Sequence, residues 1–230
     1  MGNTWDYTVV LRELPADRSD IVARVFGMSQ SLGYNLNEKP YLSDNEGNEH
    51  LLTSRAECHE YLATHGGSVV VFRGQEPDWE DIHLDFQWER KQIGIYVLSD
   101  FARRHDGVMA ADLKAMFVFL CKNLRPFYGY SSDEWMVEGA FANKNFAARW
   151  RAFERAVRKE RVPPLLFWLN YFAADYFERV GEERMAEVPH CIVPLEDRGL
   201  FVSLSDNPWE GKLAVLDDNG RYEIASYLDY

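Results

Sequence analysis

Long apolar runs are missing from this 230-residue chain. No stretch of eighteen or more uncharged apolar residues occurs, so no membrane-spanning helix is expected. Cysteine is scarce as well. Cys58, Cys121 and Cys191 are odd in number, far apart and set among apolar neighbours, which favours buried reduced thiols over a disulfide framework or a zinc site. Basic residues are outnumbered, 25 Lys and Arg against 37 Asp and Glu. The net charge of −12 argues against nucleic acid as a direct ligand, because strands are held mainly by cations neutralising phosphates. A basic protein is the more natural partner. Local catalytic signatures are absent: there is no GxGxxG, P-loop, GxSxG, HExxH or CxxC pair. Nothing here demands an enzyme, a metal or a cofactor. The stretch MGNTWDYTVVLRELPADRSD has no charged n-region followed by an apolar h-region, and Asp6 stands where myristoylation needs Ser or Thr. A cytoplasmic location is the expectation.

What the chain does have is apolar content, 47%, enough for a substantial core, and we read residues 1–230 as one domain. Thr8 to Leu11 reads as a strand. A helix is predicted from Asp17 or Ser19, with Ile21, Val25, Met28 and Leu32 along one face and Gly33 as its stop. The stretch Asn35 to Asn48, rich in Asn, Asp, Glu, Gly and Pro, reads as a long exposed loop. Ser54 and Glu57 have capping-box spacing for a short helix ended by His65, Gly66 and Gly67, and SVVVFR follows as a central strand. Helical periodicity recurs at Leu113, Met116, Phe117, Leu120, Cys121 and Leu124, and again at Phe146, Trp150, Phe153 and Val157. The outer face of that last helix carries Arg149, Arg151, Arg155, Arg158, Lys159 and Arg161, read as a solvated basic face. LLFWLNYF is a strand or buried turn, Asp175 to Val180 a helical turn ended by Gly181, and HCIVPL with LFVSLS a hairpin in which Gly199 takes the turn conformation. The predicted class is α+β, a mixed or antiparallel sheet with hairpins and helices packed on it.

The most informative stretch is EDIHLDFQWE. Ile82, Leu84, Phe86 and Trp88 alternate with Asp81, His83, Asp85 and Gln87, so a strand here has one apolar face and one polar, acidic face. The apolar run QIGIYVLS lies just beyond, which predicts a hairpin. Asp81, His83 and Asp85 share a face, the pattern of a small metal-dependent hydrolase. Neighbours on one strand face stand about 7 Å apart, too wide to share a small metal without help from a bulge or a second strand. Cys58 beside His59 resembles a thiol and its base, but adjacent helical residues diverge by about 100°. The competing reading is a docking surface. Six acids, Glu76, Asp78, Glu80, Asp81, Asp85 and Glu89, occur without a Lys or Arg among them, with Trp79 in their midst as an apolar anchor. An acidic hairpin that only discourages edge-to-edge aggregation is the third possibility.

The segment PPLLFWLNYFAADYFERVGEERMAEVPHCIVPLEDRGLFVSLSDNPWE, from Pro163, resembles a block of the Imm52 family of bacterial immunity proteins. The matching positions are Trp168, Leu169, Asn170, Tyr171 and Phe172, then Tyr176, Gly181, Gly199 and Pro208. Ala173 stands where the pattern has Gly, and the Gly-Gly turn is reduced to Arg198-Gly199. The resemblance implies an α+β cytosolic protein that neutralises a cognate toxin, commonly a restriction-endonuclease-like nuclease delivered by contact-dependent or type VI secretion. The contact patch expected is Asp78, Trp79, Glu80, Asp81, Asp85 and Glu89, with the stretch 35–48 as the second candidate. Trp168, Tyr171 and Phe172 are expected in the core, with Asn170 satisfying buried backbone groups. A scaffold or regulatory subunit with a partner other than a toxin is the further alternative.

Overall fold

The computed structural model describes residues 4–73, 82–98, 108–133, 146–185, 191–194, 199–204 and 212–226. It is α+β, with antiparallel sheets and hairpins. The chain divides into two compact units, Met1–Leu124 and Arg125–Tyr230. Among the described residues no helix is long and apolar enough to cross a membrane.

In the first unit the strands are β1 (Thr4–Val10), β2 (Asn35–Leu36), β3 (Tyr41–Ser43), β4 (Glu49–Leu51), β5 (Gly67–Phe72), β6 (Ile82–Gln87) and β7 (Gln92–Leu98). They pair antiparallel in the order β4-β3-β5-β6-β7-β1, with β2 also on β5. The helices are α1 (Arg18–Ser31), α2 (Arg55–His65) and α3 (Val108–Leu124). Period-two patterning decides which sheet face they cover. Val9, Leu42, Val69, Leu84 and Ile95 are all buried. Leu84 and Ile95 meet Val25 and Met28 of α1 and Met116 and Leu120 of α3, and Trp88 donates its indole N–H to Leu62 O of α2 at 2.7 Å. The alternation predicted for Ile82 to Trp88 is present, with Ile82, Leu84, Phe86 and Trp88 buried.

Local chemistry sets the helix ends. Asp17 caps α1 through Asp20 N at 3.0 Å, and Gly33 beyond its end has φ +90°. Ser54 caps α2 through Glu57 N, while Glu57 reaches back to the N–H and hydroxyl of Thr53 at 2.7 and 2.6 Å. The box therefore closes one residue earlier than the simple spacing implies. Cys58 and Cys121 are buried free thiols, and the side chain of Cys191 lies outside the described set. Burial pushes the Cys58 thiol up to about 12, and His59 stacks on Phe26 at 4.5 Å, so this pair is no thiol and base. The stretch 35–48 is not one long loop. Leu36 and Leu42 are buried apolar residues that draw the chain into β2 and β3, while Asn37 to Lys39, Tyr41 and the tight turn after Ser43 stay exposed.

The second unit has β8 (Tyr128–Asp133), α4 (Phe146–Arg158), β9 (Leu165–Leu166), β10 (Leu169–Ala173), α5 (Ala174–Val180), a 3-10 turn, β11 (Cys191–Pro194), β12 (Gly199–Ser203), β13 (Lys212–Leu216) and β14 (Tyr222–Ser226). Antiparallel pairing runs β8-β10-β12-β11 in one group and β9-β13-β14 in another. Its core is aromatic. Phe153 of α4 meets Tyr130 and Phe167 edge-on, each at 5.2 Å between centroids. Arg151, Arg155, Arg158, Lys159 and Arg161 are exposed; the side chain of Arg149 lies outside the described set.

Trp168, Tyr171 and Phe172 are buried. Asn170, 0% exposed, accepts from Phe167 N at 3.1 Å and from the Tyr128 hydroxyl at 3.0 Å, and donates to Phe167 O at 2.6 Å. Gly181 has φ +85° and ends α5. Gly199 differs from its sequence reading: it begins β12 rather than forming the turn, and it is not among the positive-φ glycines. It is glycine for closeness, since a Cβ there would lie 2.3 Å from both the Cε2 and the hydroxyl oxygen of Tyr171. Gly199→Ala is therefore expected to lower stability by about 1–3 kcal/mol in urea denaturation. A loss under about 0.5 kcal/mol would show that the Tyr171 ring swings aside freely.

Candidate functional site

The sheet of the first unit leaves one face without the three helices, and the strand register assembles it. Glu49 lies opposite Ser43, Ser43 opposite Ser68, Ser68 opposite Asp85, Asp85 opposite Gly94, and Gly94 opposite Thr8. One polar row thus crosses six strands. Beside it His83 of β6 stacks on Tyr96 of β7 at 4.4 Å and 14°, and the Tyr96 hydroxyl meets Ser68 Oγ at 2.9 Å. At the outer edge Tyr41 and Leu51 lie directly opposite each other on the same face, 48% and 69% exposed. They are the two large apolar side chains that stand exposed among the described residues.

A pocket of about 460 Å³ opens on this face. Its lining includes Ser43, Asp44, Ser68, Asp85, Gln87, Glu89, Arg90 and Tyr96. The turn between β3 and β4 is held rigid by one side chain. Asp44 Oδ1 accepts from Glu46 N and Asn48 N at 2.9 and 2.8 Å, and Oδ2 takes Asn48 Nδ2 at 2.9 Å and His50 Nε2 at 3.1 Å. Those hydrogen bonds, with Asn48 and His50 foremost, hold the Asp44 carboxyl far below the usual carboxylate range. Asp44 is consequently a structural anion, spent on its own turn.

Asp85 is the opposite case. Burial raises its carboxyl to about 6, against the smaller opposing effects of a hydrogen bond from Gln87 at 2.5 Å and the charge of Arg90. Among the described residues it has no ion-pair partner, and a carboxylate can accept about four hydrogen bonds. Burial likewise lowers His83 and raises Tyr96. The pocket is a place where charge is costly until something compensates it.

Of the sequence-derived contact patch, Asp85 stands in this pocket and Glu89 is exposed at its edge, while Asp78, Trp79, Glu80 and Asp81 lie outside the described residues. The structure therefore joins two candidates that the sequence kept separate, the acidic hairpin and the 35–48 stretch, at one pocket. For the hydrolase reading, Asp81 is outside the described set, and His83 is engaged with Tyr96. Among the described residues no group of three or more His, Cys, Asp or Glu is placed to hold a metal. Sequence reasoning reached Tyr41 only as part of the 35–48 stretch and missed Leu51, Ser68 and Tyr96. Alternation within each strand could place each on a polar or apolar face, but only register brings the four strands together.

No family model matches the chain, and no curated protein matches it. Among solved structures it is similar to the Pseudomonas aeruginosa T6SS protein PA0821, at 13% identity and a TM-score of 0.48, over 88% of this chain and 66% of that one. The chain thus spans just under two thirds of that protein's length, and a likeness this distant assigns no function.

Proposed function

We propose that this chain is a non-catalytic immunity protein, which binds a basic protein toxin on the sheet face of its first unit opposite α1, α2 and α3 and neutralises it. The observation that carries this reading is the pocket, where the half-buried Asp85 has no ion-pair partner among the described residues, although the charge of Arg90 lies close enough to act on it. Two features support it. The exposed Tyr41–Leu51 pair offers an apolar anchor on the same face, and the net charge of −12 steers basic partners toward the protein. The resemblance of the Pro163 segment to the Imm52 family adds the toxin's class, a nuclease with a basic cleft delivered by type VI or contact-dependent secretion. An acidic surface suits such a cleft, because like phosphate it can enter and block it.

The test is co-purification with the product of the neighbouring gene, followed by a nuclease assay on the mixture. A complex that silences degradation is the expected outcome, and the double variant Asp85→Lys, Glu89→Lys should then associate about 10–100-fold more slowly at low salt. No complex, together with stoichiometric divalent metal that is lost in His83→Ala, would replace this reading with the hydrolase.

A further inference from the structure

We propose that the pocket beside Asp85 is a socket for a single arginine side chain presented by a partner protein. This deepens the docking reading given above and rests on it for the source of the arginine. Three observations carry it. The first is space: about 460 Å³ lies within the range of built ligand clefts, and far above what one bound water needs. The second is charge. Three carboxylates, Asp44, Asp85 and Glu89, face the cavity against one guanidinium, Arg90. Asp44 is committed to its own turn, which leaves the half-buried Asp85 and the exposed Glu89 as the carboxylate acceptors of the cavity.

The third is the spread of acceptors. Ser43, Ser68, Asp85 and Tyr96 come from four different strands, and the Ser68–Tyr96 pair keeps unused lone pairs on both hydroxyls. A planar guanidinium with five N–H donors can reach several walls at once, whereas an ammonium is compact, strongly hydrated and costlier to bring into a half-buried site. Arginine is therefore the favoured occupant over lysine. Tyr41 and Leu51, two large apolar side chains on the same sheet face, would contact the residues flanking that arginine.

The experiment uses the intact chain and a probe that does not depend on the toxin: N-acetyl-arginine amide, titrated by NMR, with N-acetyl-lysine amide as the comparison. The expected result is saturable binding with a Kd on the order of 1–10 mM. Shifts should be confined to the amides around Ser43, Ser68, Asp85 and Tyr96. Asp85→Asn should weaken the arginine probe about tenfold, Glu89→Gln about twofold, and the lysine probe should bind several-fold more weakly than arginine. The socket is overturned if no saturable shift appears, if the shifts fall elsewhere, or if Asp85→Asn, verified as folded, binds as the wild type does. Equal binding of the two probes would also overturn the assignment to arginine. Because no toxin is present, a working socket combined with failure of the co-purification would sink the immunity reading alone.

Discussion

Asn170→Ala is expected to lower stability by about 3–5 kcal/mol, a fall in Tm on the order of 10 °C for a chain of this size. The reason is what the truncation leaves behind. Asn170 is fully buried and serves three groups at once: the N–H and C=O of Phe167 and the hydroxyl of Tyr128. Alanine would strand all three away from water, and each unsatisfied buried group costs about 1–3 kcal/mol. The Asn also shapes the backbone, since it ties residue 167 to residue 170 and so makes the step from β9 into β10. Tyr128→Phe removes only the hydroxyl and should cost about 1 kcal/mol. Urea denaturation of both variants decides the matter. If Asn170→Ala loses no more than Tyr128→Phe, the backbone groups of Phe167 find other partners and the network is not the source of stability here.

Asp85→Asn is expected to do the reverse, stabilising the isolated protein by about 2–3 kcal/mol at pH 8. In the folded chain the Asp85 carboxyl is raised to about 6, and in an unfolded chain it titrates near its ordinary value of about 3.9. The folded state therefore holds the proton more tightly. Below pH about 4 the group is protonated in both states and costs nothing. Between pH about 4 and 6 the unfolded chain ionises first, so stability drains away as pH rises, and above pH about 6 the whole cost is present. Asparagine never ionises, so its advantage should grow over that window and vanish at its acid end. Chemical denaturation of wild type and variant at several pH values measures it directly. Equal stabilities throughout would mean that Asp85 is well solvated or already paired, and would remove the main support for the docking pocket.

The two variants separate two kinds of polar residue. Asn170 is expected to stabilise its fold, as buried polar groups do when every hydrogen bond is made. Asp85 is expected to burden its fold, which is the pattern of a residue kept for what it binds. A variant that gains stability while losing the arginine probe would exhibit that trade directly.

Much of the fold was legible in the chain because the signals are local. Ile82, Leu84, Phe86 and Trp88 could be assigned to a buried face from alternation alone, and the structure buries all four. Asp17, Ser54 and Gly181 marked helix ends by chemistry that involves only neighbouring residues. Failures came where a neighbour in space mattered more than one in sequence. Gly199 read as a turn residue, yet it is demanded by the ring of Tyr171 on the adjacent strand. The 35–48 stretch read as a loop because its polar residues outnumber Leu36 and Leu42, but those two are enough to bind it to β5.

The candidate site divides the same way. Sequence by itself determined that Asp85 lies on a polar strand face in an acidic, hairpin-forming region, since side-chain direction along a strand follows from covalent geometry. Only the tertiary structure decided that this carboxylate is half-buried, that Ser43, Ser68 and Tyr96 line the same pocket, and that Tyr41 and Leu51 lie on the same sheet face. Those facts depend on which strands pair and in what register, and a shift of one residue in any pairing would turn the row of side chains to the other face.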